Sequence, residues 1–157
     1  MISFTNETTY RTYWDNLAQV IPSLSGFKYG DGEIRSASAR SNFSSEPTLW
    51  VDPLPPIKGQ GQMDGITGEA ISTFVVMIPS STKHDLLEAQ ETKKAQCSAI
   101  VMDIFKRIKD DFQSGDIYGS EPQFGRLQFG TTDPIAIGGG TFVGCAAELP
   151  FTIPLEL

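Results

Sequence analysis

The segment FVGCAAELPFTIPLEL, residues 142 to 157, constrains the fold more than any other stretch of this chain. From Val143 to Leu157 every odd position is apolar: Val143, Cys145, Ala147, Leu149, Phe151, Ile153, Leu155 and Leu157. The even positions are small, polar or proline. A strict period of two predicts a strand with one buried face. Pro150 and Pro154 lie four apart, so both remove N–H donors from the same edge and leave the other intact. The segment should therefore be an edge strand, paired on one side, with its prolines blocking uncontrolled sheet growth. At about 15 residues it is longer than the usual strand. Its distal part, FTIPLEL, is expected either to reach beyond its own sheet or to pack wholly within the monomer.

The remaining pattern supplies what this strand packs against. Tyr10, Tyr13, Trp14, Leu17, Val20, Ile21 and Leu24 recur at three- and four-residue steps, predicting an amphipathic helix. Thr5 or Asn6 can cap its start, and Pro22 with Gly26 ends it. GFKYGDGEI reads as a short strand and turn, and TLWV (48–51) as another strand. AISTFVVMIP (70–79) is apolar on both faces, as a central strand should be. Ser81 or Thr82 is placed to cap a long helix over about His84 to Phe112, with Asp85 completing an approximate capping box. Such a helix is about 44 Å long. Its first half, EAQETKKAQ, is nearly all polar and is expected to project past the core. A short strand is expected around Gly125 to Phe129. The order of elements gives an α+β fold: a single, mainly antiparallel sheet with an N-terminal helix and one long helix packed on one face.

A length of 157 residues fits a single domain spanning 1–157. Two long loops interrupt it, at about 31–47 (Ser-rich, carrying Arg35 and Arg40) and 52–68 (DPLPPIKGQGQMDGITG). The second, with three prolines and four glycines, reads as too broken for regular structure. Loops of this length inside a compact domain are usually functional, and Leu54, Ile57 and Met63 suit a binding arm. No apolar run reaches the roughly 20 residues of a membrane span, and no leader-like pattern opens the chain. A formal charge of −7 argues against nucleic-acid binding and against docking on anionic membranes.

Catalytic chemistry finds little support. The single histidine, His84, falls at a predicted helix start rather than beside a nucleophile. Cys97 and Cys145 read as reduced core residues, too few with one histidine for a zinc site. Ser80-Ser81-Thr82-Lys83 has S-x-x-K spacing without the motifs that accompany it in penicillin-recognising enzymes. KGQGQMDG lacks both the dinucleotide and the Walker spacing. Asp110–Asp111 reads as solvated helix surface. No cofactor or metal is expected, and the chain reads as a non-enzyme.

Taken with YRTYWDNLAQ, ISTFVVMI and GGGTFVGCAAELPFTIP, this order of elements resembles the small tail-terminator and tail-completion (neck) proteins of tailed bacteriophages. The resemblance covers nearly the whole chain at the level of pattern. It implies a homo-oligomeric ring, usually sixfold, that ends the tail tube and joins it to neck or connector proteins in the virion. DNA would pass through such an acidic ring without specific binding. Arg35, Arg40, Phe43, Leu54, Pro55, Ile57, Met63, Pro150 and Pro154 are then the candidate assembly contacts. The alternative is a small non-catalytic adaptor domain that binds a protein partner through the same loops.

Overall fold

The computed structural model describes residues 2–3, 6–30, 45–62, 65–81, 85–115, 117–118 and 142–154. In chain order these form β1 (Ile2–Ser3), α1 (Glu7–Val20), β2 (Gly26–Tyr29), β3 (Thr48–Val51), β4 (Lys58–Gln62), β5 (Gly65–Pro79), α2 (Leu87–Gln113), β6 (Ile117–Tyr118) and β7 (Phe142–Pro154). The α+β class holds, with two helices and a mixed, mainly antiparallel sheet among the described residues.

α1 starts where Asn6 caps it. The Asn6 side chain accepts from the Thr8 and Thr9 N–H groups at 2.9 and 3.2 Å, satisfying two donors that the first turn leaves open. The helix stops at Val20, because Pro22 forces Ile21 into extended backbone. Tyr10, Tyr13, Trp14, Leu17 and Ala18 form its buried stripe.

β5 is the spine of the sheet. β7 runs antiparallel along one edge of it, pairing Thr67–Pro79 with Pro154–Phe142. The other edge is shared: β3 pairs with Phe74–Met77, and β4 pairs with Gly65–Glu69. β2 lies parallel to β3 on its outer side. The expected broken loop over 52–68 is therefore corrected. Its second half is a β-hairpin, and β5 begins at Gly65 rather than Ala70. The glycines misled because K-G-Q-G-Q alternates with period two, which an edge strand tolerates.

Among the described residues β7 is an edge strand, as its prolines require. Of the two expectations for its distal part, pairing within the monomer holds as far as Pro154, because the longer β5 gives Phe151–Pro154 a partner within the same chain. On the helix side, Cys145, Ala147, Leu149 and Phe151 of β7 meet Ala70, Phe74, Val76 and Ile78 of β5 and the stripes of both helices in one core. A second buried cluster, Trp50, Val75, Met77 and Phe142, occupies the opposite face.

α2 also departs from expectation at its start. It begins at Leu87, its N-cap is Leu86, and no side chain caps it. Thr82, Lys83 and His84 lie outside the described residues. The polar first half does not simply project, since Gln90 and Lys94 are buried. Gln90 Nε2 donates to the Asp85 carbonyl at 2.9 Å, which turns that side chain inward. Asp111 is likewise buried rather than solvated. It accepts from Tyr13 Oη at 2.7 Å and from Arg107 Nε at 3.2 Å, tying the two helices together. β1 and β6 add a two-residue parallel ladder that the sequence did not suggest. The strand expected around Gly125 to Phe129 lies outside the described residues.

Candidate interaction surface

The connector between β3 and β4, residues 52–57, carries three of the expected contact residues. Leu54 and Ile57 are half-buried and pack against the main core, and Pro55 is half-buried. A clasp holds this connector against α1. The Leu54 N–H donates to Tyr29 Oη at 3.0 Å, and Tyr29 Oη donates to Glu7 Oε1. Arg11 stacks over the Tyr29 ring, 5.4 Å from its centroid. Burial, and then the hydrogen bond to the Glu7 carboxylate, hold the Tyr29 phenol above its usual range. At its other end Asp52 is fixed to β5: its N–H donates to the Thr73 carbonyl at 3.0 Å, and its carboxylate accepts from Thr73 Oγ1 at 2.6 Å. Leu54 and Ile57 thus spend part of their apolar surface inside the monomer.

Pro150 stands opposite Ile71, and Pro154 opposite Thr67. Ile71 is 51 % exposed on the face away from the helices, with Glu148 exposed beside it. Arg35, Arg40, Phe43 and Met63 lie outside the described residues.

Two exposed apolar residues stand outside the expected contact set. Leu86 and Leu87, 77 % and 65 % exposed, sit side by side at the start of α2. Their signal was present, because neighbouring positions on a helix point in different directions and cannot both join one stripe. Ile71 was hidden by its strand, which is apolar on both faces.

The most polar cluster lies between β5 and α2. Asp85 Oδ2 accepts from Ser80 Oγ at 2.6 Å and from the Ser81 N–H at 3.0 Å. Lys93 Nζ lies 3.5 Å from the same oxygen and donates to the Pro79 carbonyl at 3.1 Å. The Ser80 hydroxyl, then the Ser81 N–H and Lys93, draw the Asp85 carboxyl below its ordinary range. Ser80 is the serine of the S-x-x-K spacing, and here its hydroxyl proton is committed to Asp85. The cluster fastens the end of β5 to the residues just before α2.

Cys97 and Cys145 are free and buried. Burial, with a smaller contribution from Cys145, pushes the Cys97 thiol up to about 12. Among the described residues no group of three or more His, Cys, Asp or Glu side chains could hold a metal ion, and no helix is long and apolar enough to cross a membrane. Comparison with known protein families found no model that matches this chain, and comparison with curated proteins found no match.

Proposed function

We propose that this chain is a structural assembly protein of a phage or phage-like tail, forming a ring that ends the tail tube and joins it to the neck. The observation that carries this reading is the order and pairing of the elements. An amphipathic helix, sheet strands, one long helix and a closing edge strand follow in the order on which the resemblance rests, while the other expected closing strand lies outside the described residues. The hairpin supports it further. Among the described residues β4 has only β5 as a strand partner, and its five residue pairs add about 17 Å of paired strand beyond the end of β3. A small sheet with such an arm suits contact between copies or with a tube. The acidic balance suits a conduit for DNA, since like charge weakens phosphate contacts.

Native mass spectrometry of the purified protein across a concentration series, with negative-stain imaging of large species, tests the reading. A closed ring, above all of six copies, supports it. Deletion of residues 58–66 should abolish ring formation, and an intact ring after that deletion would remove the arm from the assembly contacts. A second reading, an adaptor that binds a protein partner, is favoured by one observation, the exposed Leu86–Leu87 pair. A chain that stays monomeric at every concentration, and captures a partner only while Leu86 and Leu87 are intact, supports that reading instead.

A further inference from the structure

The connector D-P-L-P-P-I, residues 52–57, lies outside every helix and strand, yet its backbone is narrowly constrained. The rings of Pro53, Pro55 and Pro56 fix φ at about −65°. Asp52, Leu54 and Pro55 each precede a proline, which pushes them toward extended backbone. Residues 52–56 are thereby held in the polyproline II region, a left-handed helix that repeats about every three residues and has no internal hydrogen bonds.

Burial along the connector follows that period. Leu54 and Ile57 form one edge, half-buried on the main core. Pro53 and Pro56 form a second edge and are exposed, and Asp52 and Pro55 form a third, half-buried. Residues three apart share an edge, as this helix requires and an alternating strand does not. The fastening is one-sided. The Leu54 N–H is held by Tyr29 Oη and the Asp52 N–H by the Thr73 carbonyl, each at 3.0 Å. Among the described residues none of the carbonyls of Pro53, Leu54, Pro55 and Pro56 accepts a hydrogen bond.

The outward side has the spacing of a recognition element. Pro53-Leu54-Pro55-Pro56 is P-x-x-P, with the outer prolines about 9 Å apart along the helix. Lys58 follows two residues later and is exposed at the start of β4. Segments of this kind dock on aromatic-lined grooves such as those of SH3 domains, because the helix is formed before binding. A groove touches two edges of a threefold helix and leaves the third outside. Here the Leu54–Ile57 edge is already seated on the chain's own core, so the two edges that a groove needs are the two turned outward.

We propose that the connector is a built-in polyproline II ligand. It offers Pro53, Pro55 and Pro56 to an aromatic-lined groove of SH3 type on a partner protein, where Lys58 meets a carboxylate beside the groove. The bare carbonyls accept N–H and O–H donors from the groove walls. Lys58 is a cation on a chain of formal charge −7, so an acidic pocket is the complement that brings partner and chain together in this register. The clasp of Tyr29 and Glu7 preorganises the ligand, since it keeps Leu54 turned inward before a partner arrives. Leu54 and Ile57 are then supports and Pro55 a contact. The inference concerns the connector and stands whether or not the chain forms a ring.

The probe is a purified, isotope-labelled SH3 domain that takes P-x-x-P ligands followed by a cation. Titrated with the unlabelled full-length chain, its NMR spectrum should shift at the aromatic groove. The chain should bind about fivefold more tightly than a synthetic peptide of residues 51–59, because the fold has already ordered the helix. Pro53→Ala and Pro56→Ala should each weaken binding about tenfold, as loss of a central anchor does. Lys58→Glu should also weaken it and make what remains less sensitive to salt. Tyr29→Phe removes the acceptor of the Leu54 N–H and should bring the chain toward the affinity of the peptide. Lys58 is exposed, so its variant keeps the test decisive even if a proline variant fails to fold. The proposal is overturned if the full-length chain leaves the groove unshifted, whether or not the peptide binds. It is equally overturned if both proline variants and Lys58→Glu bind as the parent does.

Discussion

At Gly144 a methyl group has no room. A Cβ built there would lie 2.2 Å from the Val76 carbonyl oxygen and 3.0 Å from the Met77 Cα, and both are backbone atoms of the central strand. Gly144→Ala should therefore destabilise the protein by about 3 kcal/mol, at the upper end of overpacking costs, read as a lowered midpoint in urea unfolding. A midpoint within error of the parent would mean that β7 can move off β5 freely. Asp85 makes a prediction of the opposite kind, one of pH. Its folded pKa is depressed, so the unfolded chain takes up the proton first as pH falls. Its stabilising contribution is complete above the ordinary carboxylate value and fades as pH drops through the lowered folded one. Asp85→Asn should flatten that part of the Tm-against-pH curve on the acid side and leave its shape near neutrality unchanged. The sequence suggested Asp85 as a capping partner for Thr82. Which neighbours it takes was decided by the turn that brings Ser80, Ser81 and Lys93 around it.

Among the elements, the two helices are joined by a buried polar contact that no helical periodicity reveals. Tyr13 and Asp111 are 98 positions apart, and each looked ordinary in its own segment. Tyr13→Phe should cost about 1 kcal/mol, since the Asp111 carboxylate keeps Arg107 as its partner, and chemical denaturation measures it. Strand β7 carries the element's second prediction. Replacing Pro150 and Pro154 with threonine restores two N–H donors to its outer edge. Sedimentation velocity should then show more self-association than in the parent chain. An unchanged profile would mean that this edge is covered already. The cysteines report on the contact between α2 and β7, because Cys97 lies on the one and Cys145 on the other. With the Cys97 thiol raised to about 12 by burial, its modification by a thiol reagent at neutral pH should be slow in the folded state and fast in urea.

For the whole molecule, the core was the most legible part. Alternation in β7 and the three- and four-residue steps in α1 named every residue but Ala18 that these two segments give to the main cluster. The second cluster was harder to foresee. Val75 and Met77 read only as the other face of a central strand, and Phe142 precedes the alternating run, so nothing local linked them to Trp50. The candidate contacts divide in the same way. Leu54, Pro55 and Ile57 were chosen as apolar residues in a proline-rich loop, and the structure seats them partly on the chain's own core through Tyr29 and Glu7. Leu86, Leu87, Val20 and Ile71 are the more exposed apolar residues among those described.

The sequence by itself determined the buried and exposed faces, the helix starts that depend on one side chain such as Asn6, and the edge status of β7. Each of these follows from local periodicity or from the missing N–H of a proline, and distant residues do not alter it. The tertiary structure decided where strands end and what polar groups do. β5 extends to Gly65 because β4 supplies it with partners there, beyond Thr67 where its pairing with β7 stops, and a strand persists as far as its backbone groups are paired. Asp111, Gln90 and Asp85 took their roles from neighbours brought close by folding, since a hydrogen bond depends on an approach of about 3 Å that sequence spacing alone does not encode.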